Sequence, residues 1–199
     1  GLYTVNLYDE RAPIVFAQWD TDGDARDVKT DGNFAYLADG PAGLKIASLL
    51  RYDSPELRGT LFTAGDAQAL ALDGTFLYVA VDDGGLQIID AIHPATPVLV
   101  GTLALPAEQR AVDVAVVNKR AYLTVQSDNP QDTGLVIADV GFRDEPAILS
   151  RVTGPGTGVA VRGVDVVTVS GSQLMTIDAR ASSGPVLQAH YRPPAGAGG

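Results

Sequence analysis

The chain has 199 residues, 46% of them hydrophobic and 19% charged, enough to bury a substantial core. Its 14 Lys and Arg stand against 24 Asp and Glu, a net charge of -10 that repels phosphate backbones and argues against nucleic acid as a partner. There is no cysteine, so disulfides, thiolate metal sites and thioether-linked haem are excluded, and no apolar run is long enough for a transmembrane segment.

The first element, Gly1-Leu2-Tyr3-Thr4-Val5-Asn6, recurs along the chain. Gly43-Leu44-Lys45-Ile46-Ala47-Ser48, Gly85-Leu86-Gln87-Ile88-Ile89-Asp90, Gly134-Leu135-Val136-Ile137-Ala138-Asp139 and Gln173-Leu174-Met175-Thr176-Ile177-Asp178 align with it. Each copy ends in a short polar side chain. Seven positions further on stands a proline every time: Pro13, Pro55, Pro97, Pro146 and Pro185. A second landmark, Ala25 to Val28, returns as Ala67 to Leu70 and Ala111 to Val114, each followed at a fixed distance by Tyr36, Tyr78 or Tyr122. A fourth copy near Thr157 to Val161 has Thr168 in place of the tyrosine. The repeat is about 42 residues long, and the third full copy is lengthened by the segment Ser127 to Thr133.

Each repeat holds four short apolar stretches. In the second copy they lie near Ala67 to Leu72, Phe76 to Val81, Gly85 to Asp90 and Pro97 to Leu103. Their Val, Ile, Leu and Tyr content suits half-buried strands. Asp31-Gly32 and Asp73-Gly74 are hairpin turns between first and second strands. Asp90, Asp139 and Asp178 end third strands, where a carboxylate accepts backbone N–H groups of the next turn. The proline then opens the fourth strand, where a missing N–H matters least. Helical periodicity is absent.

Four antiparallel strands per forty-odd residues is the arithmetic of a propeller blade. The fold class expected is therefore an all-β propeller of four-stranded antiparallel blades in a partial ring. A partial blade spans 1–20, full blades span about 24–63, 67–105, 111–153 and 157–192, and 193–199 form a flexible tail. The chain starts in a third strand and ends in a fourth. Residues before Gly1 are expected to supply the missing half blade, or else a neighbouring chain covers that edge.

The motifs resemble the LVIVD repeat of bacterial and archaeal surface-associated propeller proteins. The carrying residues are Ala25 to Leu37, Ala111 to Leu123, Gly85 to Asp90 and Gly134 to Asp139. Ala69 departs from the pattern, as does the last copy, which lacks the Gly and Tyr. The resemblance implies an extracellular or cell-surface protein and carries over no catalytic residue.

The densest carboxylate cluster is Asp20, Asp22 and Asp24. It reads as a solvated acidic turn. The alternative is a calcium loop, although the glycine comes too early for an EF-hand and no glutamate closes the loop. Asp27 and Asp113 occupy equivalent places near the starts of first strands, which line a propeller axis. They read as structural residues that cap a turn or bond the next blade. The alternative is a pair of axial carboxylates for metal binding or acid–base chemistry. His93 and His190 have no second ligand nearby in sequence. Candidate partner contacts are Asp128, Asn129 and Asp132 in the long loop, with Trp19 and Tyr52 among the aromatics near fourth strands, which read alternatively as edge packing between blades.

The function expected is that of a non-enzymatic propeller, a binding or scaffold protein in a larger protein assembly, with no cofactor. The alternative is a propeller hydrolase or lyase using axial carboxylates, with calcium as its cofactor.

Overall fold

The computed structural model describes residues 1–170, 172–180 and 185–191. The tail expected at 193–199 and the last residue of the fourth blade lie outside them. Among the described residues all regular structure is antiparallel β. A two-stranded half blade comes first, β1 (Leu2–Asn6) and β2 (Ile14–Trp19). Blade 1 follows as β3 (Asp27–Thr30), β4 (Phe34–Ala38), β5 (Leu44–Ser48) and β6 (Glu56–Leu61). Blade 2 is β7 (Ala67–Asp73), β8 (Phe76–Val81), β9 (Gly85–Asp90) and β10 (Val98–Leu103). Blade 3 is β11 (Gln109–Val117), β12 (Arg120–Ser127), β13 (Gly134–Asp139) and β14 (Ala147–Thr153). Blade 4 is β15 (Gly158–Arg162), β16 (Asp165–Ser170), β17 (Gln173–Asp178) and β18 (Val186–Tyr191). Each blade is a meander. The four blades form an arc of a ring, and among the described residues β1 pairs only with β2.

The repeated motifs act at the strand junctions. The short polar residue ending each third strand accepts the backbone N–H two residues on: Asn6 from Tyr8, Ser48 from Leu50, Asp90 from Ile92, Asp139 from Gly141 and Asp178 from Arg180. That bond opens the turn to the fourth strand. Each conserved-spacing proline sits one residue before β2, β6, β10, β14 or β18, where no ladder bond is lost. All five third-to-fourth pairings also slip register once near the middle, as at Ile46/Ala47 and Ile137/Ala138. The added twist lets the outer strand follow the blade's curvature.

The core lies between blades rather than within them. Tyr36, Ile46, Leu70 and Leu77 fill the seam of blades 1 and 2. Tyr78, Ile88, Val114 and Leu123 fill that of blades 2 and 3. Tyr122, Ile137, Val166 and Ile177 fill that of blades 3 and 4. The repeated tyrosine therefore faces forward into the next blade, and burying its ring and the surrounding aliphatic groups holds the stack together. Two outer-strand glycines let neighbouring turns come close. A Cβ on Gly59 would lie 2.0 Å from the carbonyl oxygen of Pro94, and one on Gly101 would lie 2.0 Å from that of Arg143.

Candidate functional site

The inner strands β3, β7, β11 and β15 stand side by side and wall a groove of about 750 Å³ along the propeller axis. Ala69, Ala71 and Ala115 keep the groove open, while Arg26, Asp27, Lys29, Gln68 and Asp113 supply its polar groups. Both carboxylates expected at the axis line it.

Asp27 and Asp113 play the same part at alternate seams. One oxygen of each accepts the N–H of the next residue, Val28 or Val114, at 2.8 Å. The other accepts an N–H from the following blade. Asp27 takes that of Leu70 at 2.9 Å, and Asp113 takes that of Val159 at 2.8 Å. A hydrogen bond from a backbone amide to an ionised carboxylate is shorter and stronger than one to a neutral acceptor. Asp27 also holds Lys29, whose Nζ lies 2.7 Å from each of its oxygens. The structural role weighed for these residues, bonding the next blade, is thus present in the geometry. Ala69 and Gly158, in the intervening blades, bring no rival carboxylate to the amides of Leu70 and Val159.

The seam of blades 2 and 3 lacks a carboxylate of this kind. Arg143, in the β13–β14 turn, spans it instead. Its Nε donates to the Tyr78 hydroxyl at 3.1 Å, its guanidinium lies 3.9 Å over the Phe76 ring, and an outer nitrogen approaches Asp73 at 3.5 Å. Burial raises the Tyr78 hydroxyl above its ordinary value despite the nearby guanidinium. Arg143 occurs once, so the repeat pattern gave no signal for it.

The acidic run 20–24 does not gather into a cage. Asp20 accepts from Gln18, Asp22 faces the buried Lys45 at 3.2 Å, and Asp24 pairs with Arg26 at 3.2 Å. The run instead folds around Asp39, a fully buried carboxylate that accepts the Thr21 hydroxyl at 2.6 Å and the Gly23 N–H at 3.1 Å. Asp39 stands just after β4, far from the run in sequence, and only its Asp-Gly-Pro turn chemistry hints at a role. Among the described residues no group of three or more His, Asp or Glu could hold a metal ion. His93 is in an exposed turn, and His190 lies 3.3 Å from Gln173.

Several carboxylates gather around Arg26, which lines the groove. Arg26 bridges Asp24 and Asp66. Burial raises the Asp82 carboxyl above its ordinary value, and repulsion from Asp83 and Asp66 adds to this. On the same blade ends lies the long loop. Asp128, Asn129 and Asp132 are exposed, with Asp128 3.3 Å from Arg110 and Asn129 donating to Asp132 at 2.7 Å. The loop is anchored from below: Gln109 donates to the Asp132 carbonyl and Thr153 to that of Gln131. Of the aromatics, Tyr52 is exposed, whereas Trp19 is half-buried against Ala35 and Leu37 in the seam of the half blade. No helix among the described residues is long and apolar enough to cross a membrane.

Comparison with known proteins places this geometry. No protein of curated function matches the chain in sequence. In shape it is similar to a protein from Lactobacillus plantarum (TM-score 0.78, 11% identity, covering 96% of this chain and 64% of that one). It is also similar to the periplasmic gluconolactonase PpgL of Pseudomonas aeruginosa (TM-score 0.74, 15% identity, 96% and 62%). The computationally designed protein Ika4 aligns with a TM-score of 0.60 at 12% identity, over 88% of this chain and 95% of the other. The chain spans less than two thirds of the length of either natural protein, and at such identities the likeness is one of fold. Residues 22–47 and 64–104 match the LVIVD repeat. Over these residues the chain is similar to LVIVD-repeat proteins, and the matched segments form blade 2 and most of blade 1 of a β-propeller.

Proposed function

We propose that this propeller is a non-enzymatic binding or scaffold module that joins a protein assembly at the cell surface or outside the cell. The observation that carries this reading is the use already made of Asp27 and Asp113. General acid–base chemistry needs a carboxyl group that can reach a substrate proton. Here each carboxylate has both oxygens engaged by backbone amides, one on its own strand and one across a seam. The exposed, well-anchored loop bearing Asp128, Asn129 and Asp132 and the exposed ring of Tyr52 offer polar and aromatic contacts of the kind interfaces use. A photo-crosslinking residue at position 129 or 52 in the native host is expected to trap one discrete protein. The axial groove favours a second reading, an enzyme working on a small substrate, because both carboxylates line it. A hydrolytic or elimination activity lost in both Asp27→Asn and Asp113→Asn, without a crosslinked partner, would establish that second reading and overturn the first.

A further inference from the structure

The repeat sets Asp27 and Asp113 side by side as two versions of one position. Both stand on an inner strand, and each accepts an equivalent pair of amides, that of the next residue and one in the following blade. Residues two apart on a strand share a face. In blade 1 the residue two positions on is Lys29, and its ammonium sits 2.7 Å from both oxygens of Asp27. In blade 3 that position is Ala115. Among the described residues no lysine or arginine forms an ion pair with Asp113. Asp113, Ala115 and Val116 line the same axial groove as Lys29. The groove therefore has space beside Asp113 where blade 1 carries its own ammonium group.

We propose that Asp113 anchors a ligand site in the axial groove for a primary ammonium on an unbranched carbon chain. The ammonium takes the place at Asp113 that Lys29 takes at Asp27. Its methylenes lie along Ala115 and the valines of β11, as the stem of Lys29 lies along β3. The two backbone amides fix the carboxylate, so it need not reorganise to receive the ligand. Selectivity follows from the donor count: a primary ammonium presents three N–H groups and a quaternary one presents none. This site goes beyond the protein-binding role and does not depend on it.

The test is a ¹⁵N-edited NMR titration of the whole chain with n-butylammonium chloride, against sodium chloride and tetramethylammonium chloride at equal ionic strength. Saturable shifts are expected at the amides of Val114, Ala115 and Val159 with n-butylammonium alone. Asp113→Asn is expected to weaken that binding by about tenfold or more, which corresponds to about 1.4 kcal/mol. Ala115→Lys supplies the built-in ammonium and is expected to abolish binding while keeping the fold, so a folding defect in the first variant does not obscure the result. Nα-acetyl-lysine amide serves as a second probe. Tighter binding of that probe identifies a lysine side chain as the natural guest, and equal binding identifies a free amine. Identical shifts with all three salts, or wild-type n-butylammonium binding by Ala115→Lys, would overturn the proposal.

Discussion

Asp113→Ala removes an acceptor serving two N–H groups, one on its own strand and one on blade 4. Val114 is buried, and Val159 is partly so. A hydrogen bond to a charged group contributes about 1.5–3 kcal/mol, and stranding a buried donor costs about 1–3 kcal/mol. These are two descriptions of the same loss, so they are not summed. The Val114 bond is local and is partly recovered by water, which leaves an expected destabilisation of about 2–3 kcal/mol. For a chain of this size that lowers the thermal midpoint by about 4–12 °C. Asp113→Asn keeps one oxygen acceptor for two donors and should fall between, at about 1 kcal/mol. Urea unfolding followed by far-UV circular dichroism reads both. The order expected is wild type, then Asn, then Ala, with the slope unchanged. An Ala variant within about 0.5 kcal/mol of wild type would refute the seam role of this carboxylate, because that is the range of a surface substitution away from any structural feature.

Gly101→Ala pushes a Cβ into the Arg143 carbonyl, and Gly59→Ala pushes one into that of Pro94, so each should destabilise by about 2–3 kcal/mol in the same assay. Arg143→Ala loses the Tyr78 bond and the Phe76 contact and should cost about 1–2 kcal/mol, of which Arg143→Lys recovers less than half because it lacks the planar fork. Burial pushes the Asp31 carboxyl up, but the amides of Phe34 and Asn33 and the Tyr36 hydroxyl outweigh it and hold it below the ordinary value of 3.8. Its folded pKa is depressed, so its contribution is complete above pH 3.8 and is lost as pH falls through the folded value; Asp31→Asn should flatten the stability profile in that acid window and change little in slope at pH 7. Shortening the Ser127–Thr133 loop to the length of Asp82-Asp83-Gly84 should preserve the circular dichroism spectrum, and should destabilise by about 1–2 kcal/mol through the lost anchors to the Gln131 and Asp132 carbonyls.

Blade number, strand order and turn chemistry were legible in the sequence because they repeat. The proline before each fourth strand and the polar residue after each third do the same local work five times. The second and third strands of blade 2, Phe76–Val81 and Gly85–Asp90, lie where the apolar stretches put them. Blade 3 begins two residues earlier than its Ala111 landmark, at Gln109, because Gln109 is buried between Arg151 and the Asp132 carbonyl and extends the pairing to Ser127. What stayed hidden is what occurs once. Asp39 meets Thr21 and Gly23 only through tertiary folding, and Arg143 reaches Tyr78 across a seam 65 residues away in sequence. Trp19, weighed both as a contact residue and as edge packing between blades, packs against the cluster of Ala35 and Leu37.

The alternation of Asp27, Ala69 and Asp113 bears on how such a ring can be copied. Each carboxylate claims the amide following itself and one amide in the next blade. If blade 1 were duplicated end to end, every inner strand would carry an aspartate. The single proton of each such amide would then be sought by two like-charged acceptors, one from its own strand and one from behind. Leu70 escapes this conflict only because alanine precedes it. The smallest module that can be repeated without frustration is therefore a pair of blades, one giving and one receiving, and a symmetric propeller designed from this chain should take that pair as its unit.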